Sequence, residues 1–218
     1  MLDSYRRNNP MLAVNDLYCV KGERALFSGI SFVVRPGEML HVQGPNGSGK
    51  TSLLRMLCGL SAPEQGEILW QNRPLRKEGS AFFAAVAYLG HQNAIKDELS
   101  AVENLRIATA LTDQLISDTE ACRGLEAMGL AGKEDLQTKV LSQGQRRRVA
   151  LTRLLVNKSS LWLLDEPLAA LDAVGVALVE KMLDKHLAQG GMAVVTTHQP
   201  LKVSAVTKSV HLGLSARA

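Results

Sequence analysis

A chain of 218 residues, 46% hydrophobic and 21% charged, can bury a core of its own and has room for one domain with a subdomain; it is neither disordered nor low-complexity. The formal net charge of +4 suits an acidic partner but selects none. Cys19, Cys58 and Cys122 are scattered and form no CxxC pair, which argues against a zinc site or a disulfide framework and fits a reducing cytosol.

In chain order, the N-terminus MLDSYRRNNPMLAV has two arginines with no apolar run after them, so it does not read as a secretory signal. LAVNDLYCV, ISFVV and EMLHVQ alternate with Gly and Pro breaks, as in a small sheet ending in a buried strand. KTSLLRMLCGL then has apolar residues at helical spacing and stops at Gly59. GEILWQNRPL at 66–75 and AVAYLG at 85–90 read as strands, and 94–140 as a helical insertion. The richest apolar stretch, AFFAAVAYLG at 81–90, is far short of the roughly 20 residues needed to span a bilayer. LWLLDEP and MAVVTTH are continuous apolar runs ending in polar residues, as expected of central parallel strands with function at their C-terminal ends. SVHLGL is the last predicted strand.

The stretch GPNGSGKT (Gly44, Pro45, Asn46, Gly47, Ser48, Gly49, Lys50, Thr51) satisfies GxxxxGK[ST] between a strand and a helix. Its glycines let backbone amides wrap phosphate oxygens, Lys50 reaches the outer phosphates, and the Thr51 hydroxyl can bind Mg²⁺. Asp165 at the end of LWLLDE can hold the Mg²⁺ shell, and Glu166 can polarise an attacking water. LSQGQRRRVALTRL places Ser142 and Gln145 as a capping box at a second helix N-terminus. That reading leaves Gly144 without a special role. The run Arg146, Arg147, Arg148 reads mainly as solvated, with at least one member expected on a phosphate or a carboxylate across an interface. Gln92 and His198 are mute alone; their order after the phosphate loop raises them.

Together these pieces resemble the ATP-binding subunit of ATP-binding cassette (ABC) transporters over nearly the whole chain. The resemblance implies a P-loop NTPase: an α/β, RecA-like core with an N-terminal antiparallel β subdomain (12–93 and 141–218) and an inserted helical subdomain (94–140), as one domain over 1–218. It further implies ATP and Mg²⁺ as ligands, Glu166 as catalytic base, His198 as switch histidine, and Gln92 as a coupling glutamine that also ligands Mg²⁺. Ser142, Gly144 and Gln145 form the signature, and Asp172 lies in the loop that touches a partner. Two copies would meet head to tail, each signature facing the other copy's ATP.

The sequence departs from the family pattern at Gln143, where a glycine is usual, and at the adenine-stacking aromatic. Lys21 falls near that position and Tyr18 about three residues early, which predicts weak discrimination between ATP and GTP. Within the family the wording is most similar to the heme exporter subunit of bacterial cytochrome c maturation. That implies a peripheral protein on the cytoplasmic face of the inner membrane, docked on multi-span subunits through surfaces in the helical insertion near Gln92. Heme contact is expected on those partners, and no nucleic acid is expected. The alternatives are an ABC ATPase for a lipid, peptide or nutrient, and a soluble cassette acting on ribosomes or DNA.

Overall fold

The computed structural model describes residues 11–213. The reading of the N-terminus as no secretory signal rests largely on residues 1–10, outside them.

Strands β1 (Leu12–Lys21) and β2 (Arg24–Val34) form a hairpin across Gly22–Glu23, and Gly22 takes the φ of 63° that the tight turn requires. β1 pairs on its other edge with β4 (Gln65–Trp70), followed by the two-residue β5 (Arg73–Pro74), giving an antiparallel sheet of order β2-β1-β4-β5. The stretch expected as one strand over 66–75 breaks because Gln71 and Asn72 both take positive φ (53° and 64°), a turn that folds β5 back on β4.

EMLHVQ, expected to finish this sheet, instead leaves it. As β3 (Glu38–Gln43) it lies inside a parallel sheet of order β6-β7-β8-β3-β9, with β6 (Val86–Leu89), β7 (Leu161–Asp165), β8 (Met192–Thr196) and β9 (Val206–His211). All residues of β7 and β8 are buried, which explains their unbroken apolar runs. Alternation assigns each residue a face. Leu161, Leu163 and Val194 pack toward the antiparallel sheet with Leu53, Leu54 and Leu57 of α1 (Lys50–Leu57). Trp162, Leu164 and Val195 pack on the other side with residues of α5 (Gln143–Val156) and α6 (Ala173–Ala188).

AFFAAVAYLG divides between helix α2 (Ser80–Ala85) and strand β6. Between 94 and 140 stand α3 (Ala101–Ala110) and α4 (Asp118–Ala127), each opened by a Ser–Glu capping box, and one isolated bridge from Ser100 to Gln137. These helices share a small core, with Leu105 and Leu125 at its centre, closed by Leu141 and Val149 of the segment around α5. Among the described residues no helix is long and apolar enough to cross a membrane.

Candidate functional site

The C-terminal ends of β3, β7 and β8 converge on a cleft of about 730 Å³. Loop 44–49 forms one wall. Gly44 (φ 148°) has no room for a side chain, since a Cβ would approach the Leu212 carbonyl at 2.5 Å, and a Cβ at Gly49 (φ 99°) would meet the Phe27 ring at 2.9 Å. The loop delivers α1 with no side chain capping its first amides, leaving those donors for an anion. Lys50 folds back into the loop, donating to the carbonyls of Gly44 (2.8 Å) and Pro45 (3.2 Å).

Asp165 is buried, and both its oxygens are engaged: Thr51 Oγ1 donates to Oδ2 and Thr196 Oγ1 to Oδ1, each at 2.7 Å. This hard oxygen set, a hydroxyl beside a carboxylate, fits a Mg²⁺ ion that keeps its remaining positions for water and phosphate. The next residue leaves the strand with φ 48°. Its amide donates to the Thr196 carbonyl (2.9 Å) and hydroxyl (3.1 Å). Glu166 Oε1 is buried and accepts no hydrogen bond. A carboxylate oxygen with an unfilled acceptor position beside a phosphate-binding loop can take a proton from water.

His198, just past β8, sets Nε2 at 3.1 Å from Asn46 Oδ1, 3.4 Å from Lys50 Nζ and 3.5 Å from Glu166 Oε1. A protonated Nε2 can donate to Asn46 or Glu166; an unprotonated one can accept from Lys50; it cannot do both. The imidazole therefore sits where it can read the charge between lysine and carboxylate.

At the base end the cleft is lined by Lys21, Arg24 and Leu26 from the β1–β2 hairpin, while Tyr18 is half-buried on β1 and does not line it. Gln92 is exposed, makes no hydrogen bond among the described residues, and lies outside the cleft lining; its neighbour His91 lines it instead. Ser142, Gly144, Gln145 and Asp172 also stand apart from this cleft, at the N-termini of α5 and α6. The capping box forms as expected, with Ser142 Oγ accepting from the Gln145 amide at 3.2 Å and Gln145 Oε1 from the Ser142 amide at 3.0 Å. Asp172 caps α6, accepting from the Gly175 amide at 2.8 Å.

Two readings of the signature region change. Gly144 has a role within its own chain, since a Cβ there would come within 2.8 Å of the Ala170 carbonyl. The arginines are not mainly solvated, and none needs a second chain for its partner. Arg146 pairs with Asp97, Arg148 donates to the Met128 and Gly129 carbonyls at 3.2 Å, and Arg147 is buried against backbone carbonyls of 165–167. Sequence reasoning missed Arg147 because polarity places an arginine on a solvent face; the buried positions around it, Val149, Ala150 and Leu151, were the available signal.

Phosphate taken up on backbone amides beside an oxygen-lined cation position, at the carboxyl edge of a parallel sheet, is the division of labour of a P-loop nucleotide hydrolase. The chain belongs to the ABC transporter family of ATP hydrolases, whose family profile matches residues 27–169. It is 55% identical over 205 residues to the cytochrome c biogenesis ATP-binding export protein CcmA of Nitrosomonas europaea, covering 94% of this chain and 96% of the relative. It is 44% identical to the protein of the same name from Vibrio cholerae, over 88% of this chain and 92% of the relative. Among solved structures, a putative ABC transporter ATP-binding protein from Pyrococcus furiosus superposes with a TM-score of 0.80 at 24% identity, covering 91% of this chain and 96% of that one. A dimeric ATP-binding cassette bound to ADP and Pi gives a TM-score of 0.72 at 23% identity, covering 86% and 88%. The fold is that of an ABC ATPase, an antiparallel sheet beside a parallel P-loop core.

Proposed function

We propose that this chain is the ATP-hydrolysing subunit of an exporter complex serving heme delivery for cytochrome c biogenesis. The observation that carries the reading is the 55% identity, over 94% of the chain, to a cytochrome c biogenesis ATP-binding export protein. The chain acts as one cassette, 12–93 with 141–218 as core and β subdomain and 94–140 as helical subdomain, bound peripherally to multi-span subunits on the cytoplasmic face of the bacterial inner membrane. Those subunits make any heme contact.

In this reading, the amides of 44–51 and Lys50 hold the phosphates of ATP. Thr51 and Asp165 would hold Mg²⁺, which would supply neutralisation of phosphate charge. Glu166 orients water and takes its proton, and His198 stabilises the charge that develops between Glu166 and Lys50. Gln92 would join Thr51 and Asp165 as a ligand of that ion and couple the site to the membrane subunits. Two copies meet head to tail, with Ser142 and Gly144 of each facing the γ-phosphate held by the other and Asp172 at the contact. Loss of that phosphate releases the clamp, and the membrane subunits feel the motion.

The test is Glu166→Gln. Turnover is expected to fall by roughly 10²- to 10⁴-fold, ATP is expected to trap a dimer in sedimentation, and cells carrying only this variant are expected to lose heme-stained c-type cytochromes at unchanged protein level. A monomer in ATP and Mg²⁺, even with the membrane subunits present, sinks the dimer. Normal heme staining with lost turnover removes the cytochrome assignment and leaves the ATPase.

A further inference from the structure

Of the three consecutive arginines on α5, Arg146 and Arg148 reach the neighbouring helical segment, whereas Arg147 turns inward and keeps only 2% of its surface exposed. A guanidinium carries five N–H donors in one plane. Its acceptors also number five: Nε donates to the Pro167 carbonyl (3.3 Å), Nη1 to the Gly90 carbonyl (3.2 Å) and Asn93 Oδ1 (3.0 Å), and Nη2 to the carbonyls of Asp165 (3.0 Å) and Glu166 (2.8 Å).

Four of the acceptors are main-chain oxygens, and three belong to successive residues running through the two carboxylates. Burial pushes the guanidinium down to about 10, against the raising influence of Asp165, so it stays charged at neutral pH. If only the volume mattered, an apolar side chain would fill it without desolvating a cation. What an apolar side chain cannot do is hold two chain segments at a fixed separation with a rigid fork.

We propose that Arg147 is a positioning residue for the Glu166 carboxylate. It grips the carbonyls of 165–167 while the Thr196 carbonyl and hydroxyl hold the Glu166 amide from the other side, so the left-handed backbone at Glu166 is fixed at both ends. The same fork reaches Gly90 and Asn93, which bracket Gln92, and so ties the proposed coupling turn to the proposed base. This role rests on the reading of Glu166 as the base that activates water.

The experiment is a double-mutant cycle on the full chain in complex with its membrane subunits, comparing wild type, R147Q, E166Q and E166Q/R147Q in single-turnover and steady-state Mg-ATP hydrolysis. R147Q is expected to lower kcat by roughly 10- to 100-fold, the scale of an ångström's misplacement of a reacting group, with KM within about threefold. The double variant is expected to be no slower than E166Q, because a positioning residue has nothing left to position. An unchanged kcat in R147Q overturns the proposal, and so does a double variant in which the two losses multiply, since that marks general damage. Wild-type turnover in E166Q overturns the reading of Glu166 itself, and the positioning role with it; a dead E166Q beside a fully active R147Q overturns the positioning role alone. If R147Q lacks the native circular dichroism, R147K, which keeps the charge and loses the fork, takes its place in the cycle. Failure of both to fold makes Arg147 a stability element and overturns the proposal.

Discussion

Asp165 and Glu166 are adjacent in sequence, and a change of backbone conformation between them separates their surroundings. Asp165 closes β7 and accepts a threonine hydroxyl on each oxygen; Glu166 stands at φ 48° with one oxygen unclaimed. A non-glycine residue in that region costs on the order of 1–3 kcal/mol, and it persists only where neighbours hold it. Gly144 is as tightly constrained by the Ala170 carbonyl. Gly144→Ala is therefore expected to destabilise the isolated chain by about 1–3 kcal/mol, read as a lowered melting temperature without nucleotide. An unchanged melting temperature leaves only the role proposed for Gly144 across the dimer.

At the base end, Lys21, Arg24 and Leu26 line the cleft and Tyr18 does not, so no tyrosine there is placed to stack on the base. ATP and GTP are expected to compete within about threefold, whereas a site that hydrogen-bonds one base rejects its analogue by about 10⁴ or more; competition binding decides. The phosphate-loop residues and both carboxylates were legible in the sequence because each sits at a junction of strand and loop with a fixed spacing. Arg147 and the neighbour of Gly144 were not, because which carbonyls lie across from a helix is a tertiary fact that no local spacing carries.

At the scale of elements, the helix starts were written plainly. Ser142 and Gln145, and the Ser–Glu pairs that open α3 and α4, form the reciprocal caps their spacing implies. The cap at Ser142 contributes stability of its own, so Ser142→Ala is expected to cost about 1 kcal/mol even without ATP. Comparing denaturation of the free chain with dimerisation in ATP separates the cap from the role proposed for this hydroxyl across the dimer. The strands at 161–165 and 192–196 were equally legible from unbroken apolar runs. The departure of β3 into the parallel sheet was not, since EMLHVQ suits a buried strand in either sheet and only the pairing with β8 and β9 decides.

On α6, His186 stacks on Trp162 with ring centroids 3.7 Å apart and places Nε2 3.1 Å from the Met192 carbonyl. Burial, partly offset by that hydrogen bond, holds the imidazole below its ordinary value. Between the lowered native value and the unfolded one near about 6.5, the unfolded chain binds more protons. Stability is thus fully present above that window and falls as pH drops through it. Urea midpoints measured at about pH 7.5 and about pH 5.5 are expected to differ more in wild type than in His186→Phe; equal slopes would discount the histidine.

At the scale of the whole molecule, the nucleotide cleft shares the surface of the described residues with other concavities. One of them, of about 680 Å³, opens beyond the end of α1 and is flanked by Leu60 and Phe83, which are 58% and 53% exposed. In the proposed complex, apolar side chains left open beside a groove would suit a docking helix from a membrane subunit. Phe83→Asp is expected to abolish co-purification with that subunit while the isolated chain still binds ATP, and retention of the subunit would move the docking surface to the exposed Ile107, Leu111 and Leu115.

The consecutive arginines of α5 also set how the parts can move. Arg146 fastens the helix to Asp97, Arg148 to the turn after α4, Arg153 to the Asn93 carbonyl and Arg147 to the strand end. A rod bolted on several sides neither slides nor spins, so it behaves as an axle: torque applied to the helices at 94–140 must turn about it or carry it along. Close packing passes such loads on with little loss. If the proposed membrane subunits press on those helices, the load would arrive at residues 165–167 as a tug on their carbonyl oxygens, a mechanical input delivered to the main chain.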